Sequence, residues 1–137
     1  MIVVDANLLV SLVSGDPRGN TVLQHFTGWL SHNVELHAPF LARYETANAL
    51  SRLIVGAAFP ADKVEDAWNN ISILPIAYHD LSSAKRVVEI ALALNRQNAY
   101  DAAYIALAEE LGAELWTLDG PLYRNAHGLG FPINLIS

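Results

Sequence analysis

Four acidic side chains are the residues of this chain whose types and positions could carry chemistry. Asp5 and Asp119 each follow a short apolar run typical of a strand, while Glu45 and Asp101 lie in helical patterns. Four carboxylates converging in one pocket would repel one another and raise each other's pKa values unless a cation is bound. Mg²⁺ and Mn²⁺ take such oxygen ligands, usually together with water and a substrate phosphate. A shared site would therefore be a divalent-cation site suited to phosphodiester hydrolysis.

Each acid also has a simpler structural explanation. Asp5 is a favoured N-cap for the helix after it, and Asp119 could cap the turn after it. Asp101 could belong to a capping box with Asn98, because the spacing fits. Glu45 could simply be solvated. Each explanation is reasonable alone, but one shared site accounts for four acids near strand ends better than four unrelated roles do.

The elements that must position these acids alternate between short apolar strands and amphipathic helices. This alternation predicts a single α/β domain over residues 1–137, with a central parallel sheet of about four to five short strands and helices on both faces. Ligands of such sheets gather outside the carboxyl ends of the strands, where the acids would meet. The predicted strands cover residues 2–4, 34–38, 71–77, 115–118 and 131–136. The first predicted helix begins directly after Asp5, and the others cover residues 20–32, 40–55, 60–70, 81–94 and 98–111. A short turn or helix is predicted over residues 120–124.

The helix predicted over residues 40–55 is apolar around most of its circumference. Its narrow polar stripe consists of Glu45, Asn48 and Arg52, at positions i, i+3 and i+7. A helix that is apolar nearly all round is expected to be buried, so its few polar groups need partners. Arg52 shares the stripe with Glu45, whereas Arg43 points elsewhere around the axis. Arg52 is therefore the candidate for contact with a phosphate or a protein partner, the alternative being an ordinary surface arginine.

Composition limits the possible classes of protein. Of the 137 residues, 53% are hydrophobic and 16% are charged, an apolar balance that favours a buried protein–protein surface. No uninterrupted apolar run reaches the roughly 18 residues of a membrane span, so no membrane association is expected. The first residues carry no signal-peptide pattern, which favours a cytoplasmic protein. The chain contains no cysteine, so disulfides and thiolate metal sites are excluded.

The net charge of −6 by itself argues against a nucleic-acid binder, which usually carries a basic surface. An acidic cluster filled with divalent cations reverses its local sign, however. The net charge therefore does not exclude an anionic substrate.

Four motifs carry a resemblance to a known family. They are I-V-V-D-A-N at the start, Y-E-T-A-N-A-L around Glu45, A-Y-D-A-A-Y-I-A-L-A around Asp101, and L-W-T-L-D ending at Asp119. Each motif alone is weak, but their order, their spacing and the chain length together are specific. On these motifs the chain resembles the PIN domain family, and within it the VapC-type toxins of bacterial and archaeal toxin–antitoxin pairs. The resemblance covers essentially the whole chain.

The resemblance implies a divalent-metal-dependent endoribonuclease that hydrolyses RNA to products with a 5′-phosphate and a 3′-hydroxyl. By analogy, Asp5, Glu45, Asp101 and Asp119 would be the catalytic residues and would carry Mg²⁺ or Mn²⁺, directly or through water. Asn7 and Thr117 stand where relatives have small polar residues that support the acids. 

The resemblance also implies two protein partners. Relatives commonly form homodimers and are held inactive by a small cognate antitoxin, whose tail enters the active-site groove. One departure concerns the residues after the fourth acid. Relatives often place a basic residue there, whereas this chain has Gly120 and Pro121, and the nearest cation is Arg124.

Other classes fit less well. A haloacid-dehalogenase-like phosphatase would need a second aspartate where Asn7 stands, and a receiver-type signalling domain would need a late lysine, but no lysine follows Lys85. A catalytically inactive PIN-like module that binds protein or RNA is the main alternative. Degenerate members would be expected to lose one or more acids, and all four are present here.

Overall fold

A parallel sheet of five short strands forms the centre of the computed structural model, which describes residues 1–96 and 98–137. The strands lie in the order β3-β2-β1-β4-β5, and each pairs in parallel with its neighbours. The central strand is buried at every position, as expected when helices cover both faces of a parallel sheet. The predicted fold class is confirmed. The strands are β1 (Ile2–Val4), β2 (Leu36–Pro39), β3 (Ile76–His79), β4 (Glu114–Thr117) and β5 (Ile133–Leu135).

Seven α-helices accompany the sheet in the part of the chain that the structure describes. Gly112 ends the sixth helix at φ +62°, a left-handed conformation that glycine adopts without a Cβ penalty, directly after the predicted helix end at residue 111. A 3₁₀ turn over Ala61–Lys63 precedes the fourth. The helices are α1 (Ala6–Val13), α2 (Gly19–Ser31), α3 (Leu41–Val55), α4 (Val64–Ser72), α5 (Ala84–Ala93), α6 (Tyr100–Leu111) and α7 (Gly120–Gly128).

The third strand lies later in the chain than predicted. The sequence predicted a strand over residues 71–77, but α4 continues to Ser72 and β3 begins only at Ile76. Ile71 is buried on the inner face of α4, so its apolar character serves a helix and not a strand. Pro75 stands just before β3, which is an edge strand of the sheet, a position that proline tolerates.

The last helix is longer than predicted. The sequence indicated a short turn or helix over residues 120–124, whereas α7 runs to Gly128. Pro121 stands in its first turn, where the missing N–H of proline costs nothing. Leu122 and Ala126 are buried, and this pair four residues apart gives the helix a packed face.

The core packs β1 and β4 against α6. Val3, Val4, Leu9 and Ile105 are all fully buried in this core. Burying a side chain of this size contributes roughly 1.5–3 kcal/mol, so this packing fixes the ends of β1 and β4 relative to α6. No helix in the described ranges is both long enough and apolar enough to cross a bilayer.

Candidate active site

Asp5 lies at the junction between β1 and α1 and is 7% exposed. Its Oδ1 accepts a hydrogen bond from the Leu8 amide at 3.0 Å, so it caps α1 as the sequence suggested. Its Oδ2 accepts a second bond, at 2.7 Å, from the Thr117 hydroxyl on the neighbouring strand. Burial raises the pKa of Asp5 to about 6, although both hydrogen bonds act to lower it.

Thr117 links two of the acids. It is fully buried at the end of β4, where its hydroxyl donates to Asp5 and accepts a bond from the Asp119 amide at 3.0 Å. Asp119 in turn caps α7, because its Oδ1 accepts from the Leu122 amide at 2.9 Å. Strands β1 and β4 are neighbours in the sheet, so their carboxyl ends bring Asp5 and Asp119 to the same edge.

A small polar pocket of about 70 Å³ opens beside Asp5. Glu45, Asn48 and Arg52 all line it, so the polar stripe of α3 faces this pocket. Glu45 is only partly exposed, which argues against the freely solvated role that the sequence left open. The full lining consists of Asp5, Ala6, Asn7, Glu45, Asn48, Ala49, Arg52, Asp101 and Tyr104.

Tyr104 holds Glu45 from the opposite helix. Its hydroxyl donates to Glu45 Oε1 at 2.5 Å, and the residue is 3% exposed. Burial raises the pKa of Glu45, while the bond from Tyr104 lowers it. The sequence analysis did not identify Tyr104 as a residue of the site. The available signal was its position three residues after Asp101, on the same helical face, together with the need of a buried tyrosine hydroxyl for a partner.

Asp101 lies in the first turn of α6 without capping it. The N-cap is Ala99, and Asn98 accepts a bond from the Tyr100 amide at 3.3 Å, so the capping box that the sequence allowed is not formed. Burial raises the pKa of Asp101, while the positive charge of Arg96 lowers it. The simplest structural explanation for this acid is thereby removed.

The four acids form a connected electrostatic group. The charges of Asp101 and Glu45 both contribute to the raised pKa of Asp5, and the charge of Asp101 also raises that of Glu45. Asp119 does not line the polar pocket, but its charge contributes to the raised pKa of Asp101. Mutual repulsion of this kind is what a bound cation would relieve.

The acids do not form a closed cage of ligands. Within residues 1–96 and 98–137, no three His, Cys, Asp or Glu side chains stand together closely enough to hold a metal ion. The available donors are carboxylate, amide and hydroxyl oxygens, the type that hard divalent cations prefer. The pocket therefore fits a cation such as Mg²⁺, which usually binds through one or two carboxylates and keeps several waters.

The two arginines of α3 lie in different surroundings, as their spacing along the helix predicted. Arg52 lines the polar pocket, and its charge lowers the pKa of Glu45. Arg43 instead lies over the rings of Trp68 and Tyr78, at 5.3 and 5.2 Å from their centroids. Arg52 is thus the arginine of this helix that lies beside the acids.

Comparison with protein families and curated proteins gives a consistent result. The family model described as the PIN domain matches residues 2–128. Ribonuclease VapC3 of Pyrobaculum aerophilum is 32% identical over 138 residues, which cover 96% of this chain and 98% of that protein. Ribonuclease VapC12 of Mycobacterium tuberculosis is 30% identical over 138 residues, with full coverage of both chains.

A solved structure shares the fold. The crystal structure of PAE2754 from Pyrobaculum aerophilum superposes with a TM-score of 0.72, covering 98% of this chain and 83% of that chain. The sequences are 22% identical, so this likeness concerns the fold alone.

Proposed function

The chain belongs to the PIN domain family, in its VapC type, and on that premise we propose that it is an endoribonuclease acting as the toxin of a VapBC-type toxin–antitoxin pair. Two relatives that align over almost their whole length are named ribonucleases, at 32% and 30% identity. The observation that supports the proposal most is the electrostatic group of four acids, drawn from distant parts of the chain to one edge of the sheet. An RNA substrate and an antitoxin partner both imply a cytoplasmic location.

The acids are proposed to bind divalent cations and thereby to carry catalysis. Asp5, Glu45, Asp101 and Asp119 would hold Mg²⁺ or Mn²⁺, with water and RNA phosphate oxygens completing the coordination. Such cations, when bound, activate water and stabilise the leaving oxygen in phosphodiester hydrolysis. The cation would also offset the net charge of −6 where the RNA backbone must approach.

The other polar residues of the site would orient these acids and the substrate. Thr117 fixes Asp5 relative to Asp119 through two hydrogen bonds, and this supports its proposed role in positioning the acids. Asn7 lies on the exposed side of the pocket lining, where its amide could orient water or RNA. Arg52 would bind an RNA phosphate, or an acidic residue of the antitoxin that competes for the same place.

A second copy of the chain is proposed to cover an apolar groove of about 380 Å³ formed by α3, α5, α6 and the segment before α5. Several large apolar side chains of its lining are exposed to solvent, and such exposed apolar patches mark protein–protein contacts. We therefore expect Leu81→Glu, which places a charge in the groove lining, to convert a dimer into a monomer in sedimentation velocity. The exposed large apolar side chains of the groove lining are Phe40, Tyr44, Leu81 and Tyr100.

The first test of the function is a thermal melt of the wild type and of Asp101→Asn, each with EDTA, Mg²⁺ or Mn²⁺. A cation that binds only the folded protein raises the melting temperature by mass action. We expect Mn²⁺ to stabilise the wild type and to leave the variant unchanged. RNA cleavage should require Mg²⁺ or Mn²⁺, stop with EDTA, and be lost in Asp101→Asn while the variant remains folded.

Two outcomes would contradict the proposal. Cleavage that persists in EDTA would point to a mechanism without divalent cations. A wild type that is neither stabilised by cations nor able to cleave RNA, in the presence of either metal, would favour the catalytically inactive binding module.

A further inference from the structure

We propose that Tyr104 is a positioning residue of the cleavage reaction, whose hydroxyl holds the Glu45 carboxylate inside the polar pocket ready for the cation. The inference rests on the proposed metal-dependent ribonuclease function. It assigns a role to a residue that is not one of the four acids, and it concerns how the site is kept in order before metal and RNA arrive.

The first observation is the geometry of the contact. Tyr104 and Glu45 stand on different helices, α6 and α3, and 59 positions apart in the chain, yet they form a hydrogen bond of 2.5 Å. Tyr104 is held in the core, with 3% of its surface exposed, and it also contributes to the pocket lining. A rigid ring with a polar tip sets the position of its partner more closely than a flexible side chain would.

The second observation is the set of forces acting on Glu45. Asp101 repels its carboxylate from inside the pocket, whereas Arg52 attracts it from the pocket lining. Glutamate has three rotatable side-chain bonds, so without a fixed donor it can turn away from the other acids. The Tyr104 hydroxyl opposes that motion by holding one carboxylate oxygen beside them.

The chemistry of the donor also matters. A lysine or arginine in the place of Tyr104 would neutralise Glu45 and compete with the cation for it. A tyrosine hydroxyl is neutral at physiological pH, so it orients the carboxylate and leaves its full negative charge available. The second oxygen of Glu45 and the remaining lone pairs stay open to a ligand.

The test is Tyr104→Phe, which removes the hydroxyl and retains the ring. We expect Mn²⁺ binding to the RNA-free protein, measured by isothermal titration calorimetry, to weaken about 10-fold or more, the typical effect of removing a hydrogen bond that orients a metal ligand. In cleavage assays the Mn²⁺ concentration for half-maximal activity should rise by a similar factor, while the KM for RNA stays unchanged. The matched control is Tyr123→Phe on α7, where the ring stacks on His127 at 5.0 Å and outside the pocket lining.

A double-mutant cycle then asks whether Tyr104 acts through Glu45. In a Glu45→Ala background, Tyr104→Phe should leave the remaining Mn²⁺ affinity unchanged, because the group that it positions is gone. An equal loss of Mn²⁺ affinity in both backgrounds would overturn the proposal. So would a Tyr104→Phe protein with a lower melting temperature but unchanged Mn²⁺ binding, since that result describes a purely structural hydroxyl.

The outcome also separates this inference from the function on which it rests. If the wild type binds Mn²⁺ and cleaves RNA while Tyr104→Phe does both equally well, only the role of Tyr104 is refuted. If the wild type neither binds Mn²⁺ nor cleaves RNA, the proposed function and the role of Tyr104 fall together.

Discussion

Replacing Asp5 with asparagine is expected to stabilise the metal-free protein at neutral pH, although Asp5 is a buried and doubly hydrogen-bonded side chain. Burial raises its pKa from 3.8 to about 6, so keeping it ionised at pH 7.5 costs the fold about 3 kcal/mol. Asparagine carries no charge and is as good an N-cap, so the bond from Leu8 can persist. Its amide nitrogen cannot accept the bond from Thr117, which costs about 1 kcal/mol. The expected net gain is about 2 kcal/mol, or about 6 °C in melting temperature.

The stability difference between the variant and the wild type should depend on pH in a defined direction. Because the pKa of Asp5 is higher in the folded than in the unfolded state, the contribution of this group to stability is present below about pH 3.8 and is lost as the pH rises to about 6. The variant lacks this titration. Its advantage over the wild type should therefore be full at pH 7.5 and absent at pH 4, where the lost bond from Thr117 should leave the variant slightly less stable than the wild type.

The assay is urea denaturation of both proteins in EDTA at pH 4 and pH 7.5, followed by circular dichroism. A variant less stable than the wild type at pH 7.5 would refute the reasoning, because the charge would then not be the dominant cost. An equal gain at both pH values would refute it too, since a packing effect would not titrate. Adding Mn²⁺ at pH 7.5 should reduce the advantage of the variant, because only the wild type retains the full set of acids.

Three further predictions concern residues that support the fold or the site. A Cβ at Gly19 would lie 2.5 Å from the Ser11 carbonyl oxygen, so Gly19→Ala should destabilise the protein by about 1–3 kcal/mol. A Cβ at Gly28, in the same helix, would meet no atom within 4 Å, so Gly28→Ala should stabilise the protein by up to about 1 kcal/mol. Thermal melts of the two variants test this difference. Thr117→Val leaves a buried carboxylate and an amide without their partner, so it should cost about 1–3 kcal/mol in urea denaturation and lower the cleavage rate. Burial lowers the pKa of His37, and the charge of His79 lowers it further, so the fold should lose stability as the pH falls below about 6.5. His37→Gln should remove this loss of stability, which thermal melts between pH 8 and pH 5 would measure.

The fold and the location of the acids could be predicted from the sequence because both depend on local patterns. Short apolar runs alternating with helical periodicity indicate a parallel sheet, and the carboxyl ends of parallel strands share one edge. That rule alone brought Asp5 and Asp119 together, and in the structure they follow the ends of neighbouring strands, β1 and β4. The polar stripe of α3 could likewise be oriented by its spacing, and it faces the pocket.

The contacts between distant elements could not be predicted in this way. An apolar run such as the one around Ile71 suits a short strand or a buried helix end equally well, and only packing decides between them. The bond between Tyr104 and Glu45 joins two helices whose relative rotation no local pattern reports. The bridge through Thr117 depends on the register of β1 against β4, which is a property of the assembled sheet.

The helix-capping explanations and the catalytic proposal are compatible for Asp5 and Asp119. A cap uses one lone pair of a carboxylate that offers about four, so each acid can hold its helix and still face a ligand. Capping also places each acid at a strand–helix corner, where the backbone on both sides is fixed. Glu45 and Asp101 cap no helix, and each is held by its neighbours, through Tyr104 in one case and between opposing charges in the other. The site therefore combines two acids fixed by the fold with two whose positions depend on side-chain contacts, and substitutions of those contacts should change cation affinity more than they change stability.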